Sequence, residues 1–304
     1  MSSSADPDPD TGRVTFAGRW PTLLAFLLLA TLFPGVSIAL AARTVGIETL
    51  RGSVLGSLYT AASLVVFALL TWLLLRREGV SASDIGFDAD RVRIAVLLVA
   101  GMWVVVNAVA VGVLSVFGDP TVGVPRADGS RGVWLVEVLV QAFFVGIVEE
   151  FVYRGYLQSR VVAAVGGSAS RWLKALGIVL AASLFAVMHL PQRLLVSEMT
   201  IQQAAANVPL LLVVGVALGV LFELTRNVAL VGLLHGTVLN RTPLFVVSFE
   251  GADAATGNLT LVVLVAVLLA VWLYRRWAKA NRREDFRPFA LASSARRTVG
   301  SGGE

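Results

Sequence analysis

The chain has 304 residues, of which 57% are hydrophobic and only 15% are charged. Soluble domains contain about 45–50% apolar residues with glycine included and about 25% charged residues. A soluble core of this length could not bury so much apolar surface, because a folded protein keeps much of its surface in water. The composition therefore excludes an ordinary soluble protein and a disordered chain. Cysteine is absent, which excludes disulfides, thiolate catalysis and cysteine-based zinc sites.

Membrane-spanning segments are predicted where about 20 consecutive apolar residues can cross a hydrocarbon core of about 30 Å. In chain order these segments are Trp20–Ala42, Val54–Leu75, Ile94–Phe117, Val133–Tyr153, Lys174–Leu190, Val208–Leu224, Val228–Leu239 and Leu259–Tyr274. The segment Val228–Leu239 is too short to span at full thickness, and a short apolar helix with polar ends is usually buried or tilted. The predicted fold class is therefore an all-α polytopic membrane protein, a bundle of about eight transmembrane helices.

The chain ends are predicted to lie outside this bundle. Residues 1–18 are rich in Ser, Asp and Pro, a composition typical of a disordered tail. Residues 19–276 form the predicted transmembrane domain, and residues 277–304 form a basic tail that we expect to be mobile. Ala39-Leu40-Ala41 resembles a signal-peptidase site. The preceding apolar segment is long enough to span and its leader is acidic, so we expect it to be retained as a membrane helix.

The topology is predicted from Lys and Arg, which are enriched in cytoplasmic loops. With eight spans, both termini share a side with the second, fourth and sixth loops. That side carries 19 of the 25 basic residues, eight of them in the last thirty residues. Both termini are therefore predicted to be cytoplasmic in a protein of the plasma membrane. The basic tail is predicted to contact anionic lipid, and nucleic acid is not an expected partner.

Ionisable residues inside the apolar segments mark the expected functional site, because they are costly in hydrocarbon. The two histidines, His189 and His235, lie within or at the end of apolar helices, and the fourth segment contains Glu149 and Glu150 followed by Arg154. Glu150 and Arg154 are four residues apart on one helix face and can pair. Glu149 points about 100° away from Glu150. We therefore expect a shared intramembrane polar cavity in which Glu149 acts as a general base towards water.

Three short motifs occur in order along the chain. Glu149 to Arg154 reads E-E-x-x-x-R, Phe185 to His189 reads F-x-x-x-H, and His235 begins a third motif. Together they resemble the motifs of the CPBP (Abi) family of intramembrane proteases, which includes CAAX prenyl endopeptidases and bacteriocin-processing or immunity proteins. Signatures of other proteases, H-E-x-x-H and G-x-S-x-G, are absent from the sequence.

The third motif departs from the family pattern H-x-x-x-N. Leu239 stands four residues after His235, and Asn240 is the fifth. On a regular helix the fifth residue is rotated by about 140° from the first, so Asn240 reaches the same cavity only where the helix is distorted. The end of the apolar run at Arg241-Thr242-Pro243 favours such a distortion.

The resemblance implies an intramembrane endopeptidase whose site opens towards the cytoplasm. By matching position, Glu149 would activate the attacking water with help from His189. His235 and Asn240 would stabilise the oxyanion of the tetrahedral intermediate. The expected substrate is a membrane-associated protein or peptide, processed at a CAAX-type C-terminus or at a leader peptide.

The resemblance also implies supporting residues and a possible metal. Glu150 and Arg154 would position the first motif. If zinc were bound, its ligands would be Glu149, His189 and His235, since zinc accepts carboxylate and imidazole donors. A metal-free glutamate mechanism is favoured, because asparagine is a poor fourth ligand, and no cofactor is firmly expected.

Two alternative functions fit the same residues. One is a catalytically silent scaffold or immunity protein of the same fold, which the unusual position of Asn240 keeps open. The other is a proton-coupled transporter, although transport normally requires discontinuous helices in repeated halves of the chain. A separate alternative to a functional site is that the carboxylates and histidines form structural ion pairs within the bundle.

Overall fold

The protein is described here by a computed structural model. It covers residues 14–50, 53–117, 121–122, 131–195, 197–239, 247–248, 253–281 and 288–292. These residues are mostly helical, which confirms the prediction of an all-α membrane protein. Five of the described helices are long and apolar enough to cross a membrane, and they cover Trp20–Thr44, Val54–Arg77, Ala89–Gly112, Arg171–Leu195 and Ile201–Thr225.

The first half of the chain folds as helices connected by short loops. They are α1 (Trp20–Thr44), α2 (Ile47–Leu50), α3 (Val54–Arg77) and α4 (Ala89–Phe117). Helices α1 and α3 are joined within their apolar segments by a polar contact. Tyr59 donates a hydrogen bond from its hydroxyl to the Ser37 carbonyl over 2.6 Å, and the hydroxyls of Ser37 and Ser63 are 2.9 Å apart. Both polar groups are thereby satisfied without water.

The first motif lies on a continuous helical path in which α-helical and π-helical turns alternate. Its parts are α5 (Arg131–Leu139), π1 (Val140–Gly146), α6 (Ile147–Glu150), π2 (Phe151–Gln158) and α7 (Ser159–Ala164). π-helical turns are rare and frequently occur at functional sites. The path extends beyond the predicted end at Tyr153, because the polar residues that follow are buried against other helices instead of facing solvent.

The second half of the bundle carries the other two motifs. It consists of α8 (Arg171–Met188), α9 (Leu190–Leu195), α10 (Ile201–Thr225), α11 (Val228–Leu234), π3 (His235–Leu239) and α12 (Asp253–Ala280). Helix α10 begins with a capping box, in which Thr200 and Gln203 satisfy each other's backbone N–H groups. Helices α8 and α10 pack along one another, whereas α11 packs against α4, π1 and α6.

Two small β-sheets, which the sequence analysis did not predict, lie at opposite ends of the bundle. β1 (Val14–Phe16) pairs in parallel with β4 (Phe289–Leu291), and β2 (Thr121–Val122) pairs antiparallel with β3 (Val247–Ser248). Residues 14–16 and 289–291 were expected to belong to disordered or mobile tails. They differ from that expectation because Phe16 and Phe289 bury their rings in the protein. The pairing also brings segments near the two chain ends to the same face.

Close backbone packing places α11 and π3 beside the first motif. A Cβ atom on Gly232 would lie 2.5 Å from the Ile147 Cα, and one on Gly236 would lie 2.2 Å from the Gln141 carbonyl oxygen. Such distances are shorter than van der Waals contact, so only glycine permits this approach. The approach brings the histidine at the start of π3 against the carboxylates of α6.

The start of α11 is held by the loop after α3. Gly86 has a φ of +84°, and a Cβ atom there would lie 2.0 Å from the Arg226 carbonyl oxygen. The Gly86 carbonyl accepts a hydrogen bond from the Val228 N–H, and the Asn227 side chain caps α11 through the Leu230 N–H. This loop therefore fixes where α11 begins and, with it, the position of the third motif.

Candidate active site

Glu149 lies between the two histidines of the chain. Its Oε2 atom is 3.7 Å from the Nε2 atom of His189 and 4.0 Å from the Nε2 atom of His235. The three side chains come from α6, the end of α8 and the start of π3, so three separate helices contribute to the site. Their side chains are largely buried, but they are still accessible to solvent, and Glu149 retains 20% of its accessible surface. The juxtaposition expected from the motifs is present in the structure.

His189 is oriented by its own helix. It follows the last residue of α8, and its Nδ1 atom lies 2.7 Å from the Phe185 carbonyl oxygen. A carbonyl can only accept a hydrogen bond, so the Nδ1 atom carries the hydrogen. In the neutral ring the Nε2 atom, which faces Glu149, therefore bears a lone pair. The spacing F-x-x-x-H places the two residues on one helix face, where the Phe185 carbonyl meets the His189 ring and the two ring centres lie 4.3 Å apart.

His235 is oriented by Glu150. Its Nδ1 atom lies 2.9 Å from the Glu150 Oε1 atom, and the Glu150 side chain is fully buried. An ionised carboxylate is only an acceptor, so the Nδ1 atom of His235 is the donor. The two carboxylates of the first motif thus contact opposite nitrogens of one imidazole ring, Glu150 at Nδ1 and Glu149 on the Nε2 side. The contact between Glu150 and His235 was not predicted from the sequence.

Arg154 links the first motif to two other helices. Its Nε atom is 3.2 Å from the Glu150 Oε2 atom, which is the predicted ion pair. The Nη2 group of Arg154 donates a hydrogen bond to the Gly215 carbonyl of α10. Its guanidinium carbon lies 4.5 Å from the centre of the Phe185 ring. The arginine is buried, so these contacts replace the water that it would otherwise bind. Arg154 therefore holds the Glu150 carboxylate in place against α8 and α10.

The third motif begins in the π-helical turn π3. Backbone bonds in such a turn join residues i and i+5, which brings the fifth residue beneath the first. This is the type of distortion that the position of Asn240 requires, but Asn240 lies outside the described residues and its role stays a prediction. Thr237 stabilises the turn, since its hydroxyl donates to the Leu233 carbonyl and accepts a hydrogen bond from the Trp103 indole over 2.9 Å.

Some contacts around the site had no signal in the sequence. The motif pattern includes Phe185, although it does not indicate that the ring would pack against Arg154. Trp103 and Thr237 are separated by 134 positions, so no local spacing predicts their hydrogen bond. The glycines that allow close packing were also not identified as site residues. Each of these contacts is tertiary, and only a fold or aligned homologues could reveal it.

A metal ion is not supported by the arrangement of donors. In the part of the chain that the structure describes, no three His, Asp or Glu side chains are arranged to hold a metal ion. This includes the set Glu149, His189 and His235, which was considered above for zinc. Both histidine Nδ1 atoms have acceptor partners, an arrangement that is also found for the outer nitrogen of metal-bound histidines. No step of the reaction is therefore derived through a metal ion.

A comparison with known protein families finds a match in the part of the chain that carries the three motifs. Residues 131–239 match the family model described as type II CAAX prenyl endopeptidase Rce1-like. The resemblance to the CPBP family is thereby confirmed. The Rce1-like segment runs from the first residue of α5 to the last residue of π3, and it contains Glu149, His189 and His235. This is a family of proteases, which supports assignment of the protein as a peptidase. No curated protein and no solved structure matches the chain significantly.

Proposed function

We propose that the protein is an intramembrane endopeptidase that hydrolyses a peptide bond in a membrane-associated protein or peptide. The observation that carries the proposal is the position of Glu149 Oε2 between the Nε2 atoms of His189 and His235, at 3.7 and 4.0 Å. The Rce1-like match supports a CAAX-type peptide as the substrate class. Processing of a leader peptide is the other substrate class that the family resemblance allows.

The proposed reaction begins with a water molecule bound by Glu149 and His189. The Glu149 carboxylate accepts a proton as the water oxygen attacks the scissile carbonyl carbon. The His189 ring, with its Nδ1 hydrogen held by the Phe185 carbonyl, presents its Nε2 lone pair to the same water. Glu149 then transfers the proton to the leaving amine, so the carboxylate is regenerated when the peptide bond has broken.

The proposed oxyanion partner is His235 in its imidazolium form. Its Nδ1–H group is directed to Glu150, so its Nε2 atom can donate to an oxyanion only if the ring carries both hydrogens. The Glu149 and Glu150 carboxylates on either side of the ring favour that positive charge. A preorganised donor of this kind stabilises the tetrahedral intermediate, and Asn240 would be the second donor.

We further propose eight membrane-spanning segments with an enclosed polar cavity and both termini in the cytoplasm. Besides the five long apolar helices, the path from α5 to α7, the short α11 with π3, and α12 would cross or enter the membrane. The pairing of β1 with β4 supports a common side for the two chain ends. The plasma membrane is the proposed location.

The proposal is tested with the substitution Glu149→Gln, which keeps the size of the side chain and removes the base. Purified full-length protein is assayed with a farnesylated CAAX-type peptide, and peptides that accumulate in cells lacking the protein are measured by mass spectrometry. We expect the rate to fall by about 10²–10⁴. Glu198→Gln, the same change at an exposed residue between α9 and α10, serves as the matched control and should retain activity.

Two outcomes would contradict the proposal. Turnover by the Glu149→Gln protein at the wild-type rate would exclude Glu149 as the base. If the folded wild-type protein cleaved no peptide in either assay, the silent scaffold would become the better interpretation. Chelator treatment tests the metal-free mechanism, because a zinc enzyme would lose activity and regain it with added zinc.

A further inference from the structure

A crevice outside the three motifs opens where α1 begins and α3 ends. It has a volume of about 530 Å³ and is lined by Gly18, Arg19, Trp20, Pro21, Thr22 and Arg77. Two lining residues are arginines and none is acidic. Arg19, Trp20 and Arg77 are exposed, so a ligand can reach the crevice from the surface of the protein.

The acidic residue beside this crevice is already neutralised. Glu78 is fully buried, and its Oε2 atom accepts hydrogen bonds from the N–H groups of Gly18 at 2.9 Å and Arg19 at 3.4 Å. Its Oε1 atom lies 3.4 Å from the Nε atom of Arg160. The carboxylate therefore compensates Arg160, whereas the charges of Arg19 and Arg77 have no ion-pair partner among the described residues.

Arg160 lies against Trp20 but does not line the crevice. Its side chain is completely buried, yet its Nη1 and Nη2 groups have no hydrogen-bond partner in the described structure. The guanidinium carbon lies over the ring of Trp20, 5.9 Å from the ring centre, and Trp20 is part of the crevice wall. A ligand in the crevice would therefore contact the Trp20 ring and not the Nη groups of Arg160.

Exposed tryptophans place the crevice at the level of lipid headgroups. Tryptophan is enriched at the membrane–water interface, where its ring contacts lipid and its N–H group contacts water. Four tryptophans in the described residues are exposed, and each lies near an arginine guanidinium: Trp20 with Arg160, Trp72 with Arg76, Trp172 with Arg171 and Trp272 with Arg276. They mark the start of α1, the end of α3, the start of α8 and the end of α12, which is one end of the bundle.

An apolar stripe leads away from the crevice along α1. Leu24, Leu28 and Leu32 follow Trp20 at intervals of four residues, and each exposes more than half of its surface. Residues spaced by four lie on one face of a helix. A ligand with a charged head in the crevice and a hydrocarbon tail would therefore find an apolar surface beneath it. This continuity favours a lipid over a free phosphate ion.

We propose that the crevice binds the phosphate headgroup of an anionic phospholipid. Arg19 and Arg77, the two arginines that line the crevice, would contact the phosphate oxygens. The acyl chains would lie along the leucine stripe of α1. A lipid bound in this way would hold the start of α1 to the end of α3, and it would stabilise the folded protein by mass action.

The proposal is tested by measuring lipid binding to the purified full-length protein in detergent. Native mass spectrometry counts bound phosphatidylglycerol and phosphatidylcholine, and the melting temperature is recorded at increasing concentrations of each lipid. We expect phosphatidylglycerol to bind preferentially and to raise the melting temperature. The double substitution Arg19→Gln with Arg77→Gln should weaken this binding by about tenfold or more, because each basic residue contributes to attraction of anionic lipid.

The matched control is Arg76→Gln with Arg171→Gln, which removes the same charge from the same end of the bundle but leaves the crevice intact. This control should bind phosphatidylglycerol like the wild type. Equal losses in the two double variants would overturn the proposal in favour of a diffuse basic surface. Equal binding of the two lipids would also overturn it. Protection by glycerol phosphate at the same concentrations as the lipid would identify a soluble phosphate ligand and contradict the lipid assignment.

Discussion

The Nδ1 atom of His235 lies 2.9 Å from the Oε1 atom of Glu150, and both residues are buried. This contact joins the first and third motifs, which are 85 positions apart. Arg154 occupies the other oxygen of the same carboxylate. One glutamate thus orients the histidine proposed to bind the oxyanion and neutralises the arginine that links α6 to α10.

The charge on Glu150 is predicted to be needed for catalysis. Glu150→Gln retains an oxygen that can accept the Nδ1–H of His235, but it removes the negative charge that favours the imidazolium. We expect kcat to fall by about 10², the cost of losing an oxyanion donor, while the protein remains folded. The measurement is the cleavage rate at a temperature at which the melting curve shows a folded variant. An unchanged kcat would mean that His235 is oriented but not charged.

Arg154 is predicted to matter more for stability than for chemistry. Arg154→Ala leaves Glu150 as a buried carboxylate that has lost its arginine, at a cost of about 3–5 kcal/mol in the free energy of unfolding. We expect a clear decrease of Tm in detergent. Arg171→Ala, at an exposed arginine, is the control and should melt near the wild-type temperature. An unchanged Tm together with lost activity would instead place Arg154 in catalysis.

Asn240 offers a test of the unusual third motif. If its amide donates to the oxyanion, Asn240→Ala should lower kcat by about 10²–10³. Exchanging the two residues, Leu239→Asn with Asn240→Leu, places the amide at the regular family position without changing composition. We expect that double variant to preserve or raise activity relative to Asn240→Ala. If Asn240→Ala is active while His235→Ala is not, the amide has no part in the reaction.

The orientation of the protein can be tested with reporter fusions. A reporter fused to the C-terminus should be located in the cytoplasm, because 19 of the 25 basic residues lie on that side in the eight-span topology. A reporter fused after Leu50, at the opposite end of α1, should be located outside the cytoplasm. A C-terminal reporter outside the cytoplasm would mean that a span was counted incorrectly, with Val228–Leu239 as the first segment to re-examine.

Composition and residue spacing determined the class of the protein and which residues form its site. Apolar runs long enough for a bilayer leave little alternative to membrane helices, since the backbone must satisfy its own hydrogen bonds in lipid. For the same reason, the few ionisable residues inside those runs had to be grouped or functional. Glu149, His189 and His235 could therefore be identified together from their positions in the chain. The ion pair of Glu150 with Arg154 followed from the periodicity of a helix.

The tertiary structure alone decided how these residues face one another. The backbone approach allowed by Gly232 and Gly236 sets His235 against Glu150, and that distance depends on atoms that glycine lacks. The strands β1 and β4 have three residues each, too few for a hydrophobic period to reveal them, and the π-helical turns are similarly short. The burial of Arg160 beside Glu78 likewise arises from contacts between residues 82 positions apart. Local periodicity predicts which face a residue occupies, whereas the partner on that face depends on how distant helices pack.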